Sequence, residues 1–536
     1  MFLQSMEIQG YRGFQQKREI KFAIPRQDSV TEGSGLTIIT GSNNAGKSSI
    51  IECLKAREGG YGKAPSFPNG TRNSLHEEVN IQYDFNNGHN EILKSVRKGS
   101  SQTEFIDKDT TVKFFVVPSR RAFEPYFNKF DTTRDDYINA NGFQAMRSST
   151  LDNFSNRLFS IEKDNEVKNK YDDILEQVLG FRPEWAIDQN EQSQYFLKFI
   201  SGKHSHSSNG IGEGIVSIFV IVDAIYDSKP GDIIIIDEPE LSLHPSLQKR
   251  LCRLFVKYSQ DRQIIISTHS PYFADIFALS NGAALVRVIS TKEGTKIFQL
   301  SDDSRSLIAK LANGNLYNPH TWGLDAREFF FQEDGIILVE GQEDVLLYPE
   351  IAKQLGKEIQ GSFFGWGAGG ADNIPHLCSI AKDLGFKRVA AILDGDKKDC
   401  FEDLKNNLSS LLESNGLSDR KFRDYKKLKG SGTNLNKDLL AIYLIYMNLI
   451  ASNSEFKIPF AIDSFVKNEI DTISQERMFR AIGSYFLTLK TQTFFSVIRE
   501  NLYRIDGDYC KIRVESPLLK EDRYEEISRE IIEFGV

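Results

Sequence analysis

The stretch "LTIITGSNNAGKSSIIECL", residues 36–54, leaves this 536-residue chain the least freedom in how it folds. An apolar run, a glycine-bearing loop and a helical pattern with Ile50, Ile51 and Leu54 on one face predict strand, loop and helix in immediate succession. The loop fits G-x-x-x-x-G-K-[ST] at Gly41, Gly46, Lys47 and Ser48. Gly41 and Gly46 permit a turn that points successive N–H groups at phosphate oxygens. Lys47 neutralises the β- and γ-phosphates, and the Ser48 hydroxyl is a magnesium ligand. Asn44 and Ser49 complete the candidate phosphate cradle. The N-terminal half is therefore expected to be an α/β domain that holds ATP.

Two further stretches fit that expectation. In "DIIIIDEPELSLHPSLQ", residues 232–248, four isoleucines followed by acids read as a strand buried on both faces. Its carboxyl end is where open α/β sheets bind ligands. There Asp237 would hold magnesium through water and Glu238 would polarise an attacking water. In "QIIISTHSPYF", the apolar run Ile264 to Ile266 delivers His269 as a γ-phosphate contact.

The order of phosphate loop, "IIIIDEPELSLHP" and "STHSPYF" resembles the RecF-like branch of ABC ATPases over roughly residues 1–290. The opening "MEIQGYRGFQQKREIKF" resembles that family's first strand and turn, which implies Arg12 near the nucleotide. Such heads work as dimers in which a signature motif from one subunit completes the partner's site. The best match here is "SSNGIGEGIVSIF", with Ser208, Gly210, Gly212 and Glu213 as candidates. It departs from a plain LSGGQ, and a glycine-rich turn opening an apolar helix is the other reading. Gln82, in the alternating "VNIQYDF", reads as a solvent-facing strand residue, not as a glutamine loop. Arg120 and Arg121 close "FFVVPSRRAF" and either reach phosphate or DNA or are simply solvated. The ATPase domain is expected over 1–325, with a helical insertion at about 124–200.

The second half poses a different question at "IILVEGQEDVLLYPE", residues 336–350, where an apolar strand runs into Glu340, Glu343 and Asp344. Downstream, "RVAAILDGDKKD", residues 388–399, is another apolar strand, ending in Asp394 and Asp396. Between them "GSFFGWGAGGADNIP" suggests a third strand with a tight glycine turn into a helix. Right-handed crossovers would make these strands parallel and bring their carboxyl ends to one edge. Carboxylates gathered there repel unless divalent cations neutralise them. Magnesium or manganese suits such oxygen ligands, and a pair of ions activates water and stabilises the leaving oxygen of a phosphodiester.

This constellation resembles the TOPRIM domain, which implies Glu340 and Asp394 as the principal catalytic metal ligands, with Asp396 and Asp344 beside them. Residue 398 is Lys where topoisomerase-type sites carry a further acid. The fusion of such a head to a TOPRIM domain is similar to the OLD (overcoming lysogenisation defect) nucleases, including Gabija-type and retron-associated antiphage effectors. That likeness implies an ATP-controlled, metal-dependent DNA endonuclease or nickase, with Lys429 stabilising the transition state. The expected TOPRIM domain covers 326–536, helical from about 438. Around Lys429, the basic "SDRKFRDYKKLKGSGTN" either contacts a nucleic-acid backbone or is a solvated segment.

A formal net charge of −8 argues against a protein that coats nucleic acid non-specifically, but permits a local basic groove. Five cysteines without paired spacing fit a reducing compartment. No apolar run reaches the roughly 18 residues of a membrane span, and the opening residues do not read as a secretory signal. The expected protein is cytoplasmic and forms at least a homodimer. It binds ATP, magnesium or manganese, and DNA, with room for a defence partner protein or RNA. The alternative function is an ATP-switched nucleic-acid sensor or scaffold whose TOPRIM domain does not cut.

Overall fold

The computed structural model describes residues 1–26, 29–59, 64–119, 154–191, 193–207, 212–311, 324–332, 335–339, 362–365, 373–386 and 389–393. It also describes parts of 131–136 and 460–470, and Gly341, Val345 and Gly370. The chain divides into two units, Met1–Leu300 and Ser301–Val536. The expected division at 325 falls later than this one. In the second unit Ser301 donates its backbone N–H to Asp383 at 3.0 Å, and the helix Asp302–Leu311 packs on the helix Ile374–Asp383.

The first unit is built on a six-stranded sheet. Its order is Gly294–Gln299, Ala284–Thr291, Leu36–Thr40, Gln263–Ser267, Ile233–Asp237, Phe114–Val117. All neighbours run parallel except the first pair, which is an antiparallel hairpin. The isoleucine runs have no polar face because both faces of the sheet are covered: Ile233 to Ile236 and Ile264 to Ile266 are all buried. The register pairs Asp237 with Ser267 and Ser267 with Ile39. Three chain crossings therefore leave the sheet at one edge, within one residue of one another.

The helix Lys47–Glu58 buries Ile50, Ile51, Cys53 and Leu54, the face its spacing predicts. It lies between this sheet and a five-stranded antiparallel sheet ordered Arg18–Lys21, Leu3–Gln9, Asn80–Phe85, Asn90–Ser95, Thr103–Ile106. Leu3, Ile8, Leu54, Tyr83, Ile235 and Val288 belong to the resulting single core. Gln82 sits on the strand Asn80–Phe85, half-buried, donating to Asp84 at 2.7 Å, as expected of a strand residue.

One buried ion pair ties that helix to the antiparallel sheet. Arg57 donates to both oxygens of Glu91 at 2.8 and 2.7 Å, both side chains fully buried, and reaches the carbonyls of Val112 and Asp109. Its guanidinium also lies 4.7 Å from the Phe114 ring centroid. Glu91→Ala would leave an uncompensated buried charge, so a loss of about 3–5 kcal/mol is expected. Urea unfolding of wild type and variant measures it, and coincident curves would remove this pair from the account of stability.

The insertion is helical only in part. Helices span Phe154–Glu162 and Asn165–Leu179, the second capped by Asp164, which accepts from Glu166 N–H at 2.9 Å. The expectation of a helical insertion through residue 200 is corrected beyond them. An antiparallel sheet of Glu184–Gln189, Tyr195–Ser201 and His204–Ser207 follows. Along its middle strand Leu197 and Phe199 are buried while Ile200 is exposed, the alternation of a strand buried on one face. Trp185 donates to Asp172 at 2.7 Å and Tyr171 to the carbonyl of Phe219 at 2.7 Å, fixing the insertion to the helix Glu213–Tyr226.

In the second unit the strands Ser362–Phe364, Ile336–Leu338, Val389–Leu393 and Phe460–Ile462 form a parallel sheet in that order. The first three are those the sequence predicts. The fourth corrects the helical expectation from about 438: 460–462 is strand, as are 465–466 and 469–470. Isolated runs of three residues carry too little periodicity to distinguish strand from helix.

Candidate functional site

The phosphate loop bends as its glycines predict. Gly41 and Gly46 have φ of 144° and 113°, and Asn44 also lies in the left-handed region, at 61°. A Cβ on Gly41 would sit 2.1 Å from the Val288 carbonyl oxygen, so no other residue fits there. Lys47 is buried, its ammonium donating to the carbonyls of Gly41 and Ser42 at 2.8 and 2.9 Å.

A cleft of about 350 Å³ opens over this loop, lined among others by Arg12, Asn44, Gly46, Lys47, Ser48, Ser49, Glu238 and His269. Asp237 lies beneath it, buried, accepting a hydrogen bond from Ser267 Oγ. Glu238 follows with φ 47°, its N–H donating to the Ser267 carbonyl at 2.9 Å. This left-handed turn lifts Glu238 out of the buried strand to line the cleft. Arg12 donates to Glu52 at 3.0 Å at the cleft's rim.

The set fits a magnesium nucleoside triphosphate: N–H groups and an ammonium for the phosphates, and oxygen donors from Ser48 and Asp237 for the metal. The glycines provide the necessary backbone approach, since a Cβ on Gly46 would already meet Thr295 at 3.0 Å.

Several contributors lacked a sequence signal. Thr295 and Ser290 reach the cleft on a hairpin from the far edge of the sheet, and Thr295 N–H donates to Gly13 at 2.7 Å. No local pattern marks them. Ser267 and Glu240 had a weak signal, being polar residues inside "IIISTHS" and "DEPELSLHP". Glu240 accepts from His269 N–H at 2.6 Å and from Thr268 Oγ1 at 2.8 Å. Burial pushes its carboxyl above the usual carboxylate range, partly offset by those hydrogen bonds.

Of the signature candidates, the described Gly212 and Glu213 do not line this cleft. Gly212 caps the helix Glu213–Tyr226 with extended backbone, and Glu213 accepts from Ser242 Oγ at 3.2 Å. Gly214 brings this helix against the turn after Glu238, for a Cβ there would meet the Ser242 carbonyl at 2.3 Å. Ser208 and Gly210 lie outside the described residues, as do Arg120 and Arg121.

In the second unit the ladder pairs Leu338 with Phe364 on one side and with Ala391 on the other. Val339 N–H donates to the Phe364 carbonyl at 2.9 Å, and a Cβ on Gly365 would lie 2.0 Å from the Gly341 carbonyl. Gly365 thus permits a close backbone approach at the carboxyl edge, while most of the glycine turn expected after it, 366–369, lies outside the described residues. Glu340, Asp344, Asp394, Asp396 and Lys429 lie outside the described residues. Among the described residues no cluster of three or more His, Cys, Asp or Glu is placed to hold a metal, and no helix is long and apolar enough to cross a membrane.

Two family models match the chain. Residues 36–275 match the family AAA_21 ("AAA domain, putative AbiEii toxin, Type IV TA system"), and residues 330–396 match the overcoming lysogenization defect protein-like TOPRIM domain. The chain is 44% identical over 133 residues to the Lamassu protein LmuB of a Bacillus species, covering 24% of this chain and 23% of that protein. It is 29% identical over 198 residues to the Old nuclease of Escherichia phage P2, covering 35% and 33% respectively. The matches therefore span about a quarter to a third of these curated relatives. Among solved structures, the SMC head domain from Thermotoga maritima aligns at 15% identity and a TM-score of 0.33, covering 56% of this chain and 100% of that one.

Proposed function

We propose that this chain, an ATPase domain joined to an OLD-like TOPRIM domain, is an ATP-controlled, divalent-metal-dependent DNA endonuclease of antiphage defence. The observation that carries the reading is the parallel pairing of Ile336–Leu338 with Val389–Leu393. These are the two strands whose sequences continue into Glu340 and Asp394. Parallel neighbours end at a common edge, which is what a shared metal site requires of those acids. Asp344 and Asp396 would complete the ligand set, and Lys429 would stabilise the developing charge. Magnesium or manganese held there supplies an activated water and stabilises the leaving oxygen.

In the ATPase unit, Lys47 and the loop N–H groups bind and orient the phosphates, while Ser48 and Asp237 hold magnesium. Glu238 polarises the attacking water and His269 contacts the γ-phosphate. The likeness to the Old nuclease of phage P2 and to the Lamassu protein LmuB supports this reading. Supercoiled plasmid incubated with the protein and magnesium or manganese is expected to be nicked or linearised. EDTA is expected to stop the reaction, and calcium to support binding better than cutting. A protein that binds DNA and never cuts in any metal or nucleotide would instead be a sensor.

The working unit is at least a dimer in which "SSNGIGEG" completes the partner's nucleotide site. Gly212→Asp tests this without disturbing the subunit, since a Cβ there meets nothing within 4 Å and φ is −60°. Neither Lys47→Ala nor Gly212→Asp alone is expected to hydrolyse ATP. Randomly mixed dimers carry one intact composite site, so roughly a quarter of the wild-type rate is expected on mixing. Demonstrably mixed dimers without recovery would place the whole site within one chain.

A further inference from the structure

The carboxylate of Glu240 has no part in the scheme above, yet it lies between the two loops that carry the water-polarising and γ-phosphate-contacting groups. Its own turn begins at Glu238: Leu241 N–H donates to the Glu238 carbonyl at 3.2 Å, and Leu243 N–H to the Glu240 carbonyl at 2.9 Å. One carboxylate oxygen accepts from the backbone N–H of His269 at 2.6 Å. The other accepts from Thr268 Oγ1 at 2.8 Å. Thr268 is anchored in turn, its N–H on the Ile39 carbonyl at 2.9 Å and its Oγ1 accepting from Ser270 N–H at 3.0 Å. Ser270 Oγ donates to Gln248 on the helix Pro245–Tyr258 at 2.6 Å.

We infer that Glu240 is a positioning residue for ATP hydrolysis: its carboxylate locks the turn bearing Glu238 to the backbone at His269, fixing those two side chains relative to each other across the cleft. The inference rests on the ATPase reading. The reason is geometric. Glu238 and His269 leave neighbouring parallel strands through separate loops, and the His269 side chain is exposed, so its direction is set by its backbone. A charged acceptor on a backbone N–H is among the stronger hydrogen bonds available to hold such a loop. Lys47 and the N–H groups of the phosphate loop make none of the hydrogen bonds named above, so affinity is expected to change less than turnover.

Steady-state ATP hydrolysis by the full chain, with nucleotide affinity measured separately, tests the inference. Glu240→Ala is expected to lower kcat about tenfold or more, with KM and affinity within about threefold. Glu240→Gln keeps an oxygen for His269 N–H and an amide for Thr268 Oγ1, and is expected to regain most of that loss. In a His269→Ala background, Glu240→Ala is expected to cost less than about twofold more, because one residue acts through the other. A merely structural role predicts the same loss in both backgrounds and no rescue by Gln, and that result would overturn the inference. If Glu240→Ala fails to fold, Thr268→Val removes one partner of the same carboxylate, and an unchanged kcat there overturns it equally. Wild-type turnover with an unaffected Glu240→Ala sinks this inference alone, whereas absent wild-type turnover sinks the ATPase reading beneath it.

Discussion

Glu340→Ala or Asp394→Ala is expected to reduce plasmid cleavage by at least about 10²–10³-fold in magnesium or manganese, the scale of losing one main electrostatic contributor to a transition state. Each acid continues an apolar strand, and those strands are hydrogen-bonded parallel neighbours with Leu338 opposite Ala391. Acids at such a shared edge stay ionised side by side only with cations between them. Removing either is expected to lower metal affinity and the charge stabilisation that depends on it. ATP hydrolysis is expected to stay within about twofold of wild type, because Ser48 and Asp237 would provide the nucleotide's metal with its own ligands. Cleavage assays alongside phosphate release measure both activities in one preparation. Cleavage that survives both substitutions would remove these acids from the chemistry.

Glu238→Gln is the counterpart in the first unit, with an expected fall in ATP turnover of about 10²–10⁴-fold, the range for a general base. The left-handed turn at φ 47° places Glu238 at the cleft, and the amide preserves its shape. Nucleotide affinity is therefore expected to persist while hydrolysis stops, because an amide does not polarise water as a carboxylate does. Lys47→Ala differs: burying that ammonium against the loop makes it part of binding, so affinity and turnover are both expected to fall. Equilibrium nucleotide binding with single-turnover hydrolysis distinguishes the two variants. Normal turnover by Glu238→Gln would exclude that residue as the base.

Much of the nucleotide cleft was legible in the sequence because its parts are local. A phosphate loop needs glycines at fixed offsets, and a strand buried on both faces needs a continuous apolar run before its terminal acids. Thr295, Ser290 and Gly13 were not legible as cleft residues. Their roles arise from a hairpin folding back over the loop, a contact between segments distant in sequence. Glu240 has no signal of its own beyond its place in "DEPELSLHP", since its value lies in the backbone N–H it accepts from. The antiparallel sheet after residue 184 was missed because the polar helix before it, Asn165–Leu179, set the expectation for the whole insertion. The three parallel strands of the second unit were legible in order and direction, while the strand Phe460–Ile462 was too short to stand out from a helical surrounding.

The central claim is that a nucleotide in the first unit governs cutting by the second. Its most direct test is the initial rate of supercoiled plasmid cleavage in magnesium with ATP, with a non-hydrolysable analogue and without nucleotide, for wild type and Lys47→Ala. The wild-type rate is predicted to differ about fivefold or more between nucleotide states, the usual span of coupling between two sites. Lys47→Ala is predicted to stay at the nucleotide-free rate throughout. A wild-type rate indifferent to nucleotide, or a Lys47→Ala rate that follows it as wild type does, would contradict the claim.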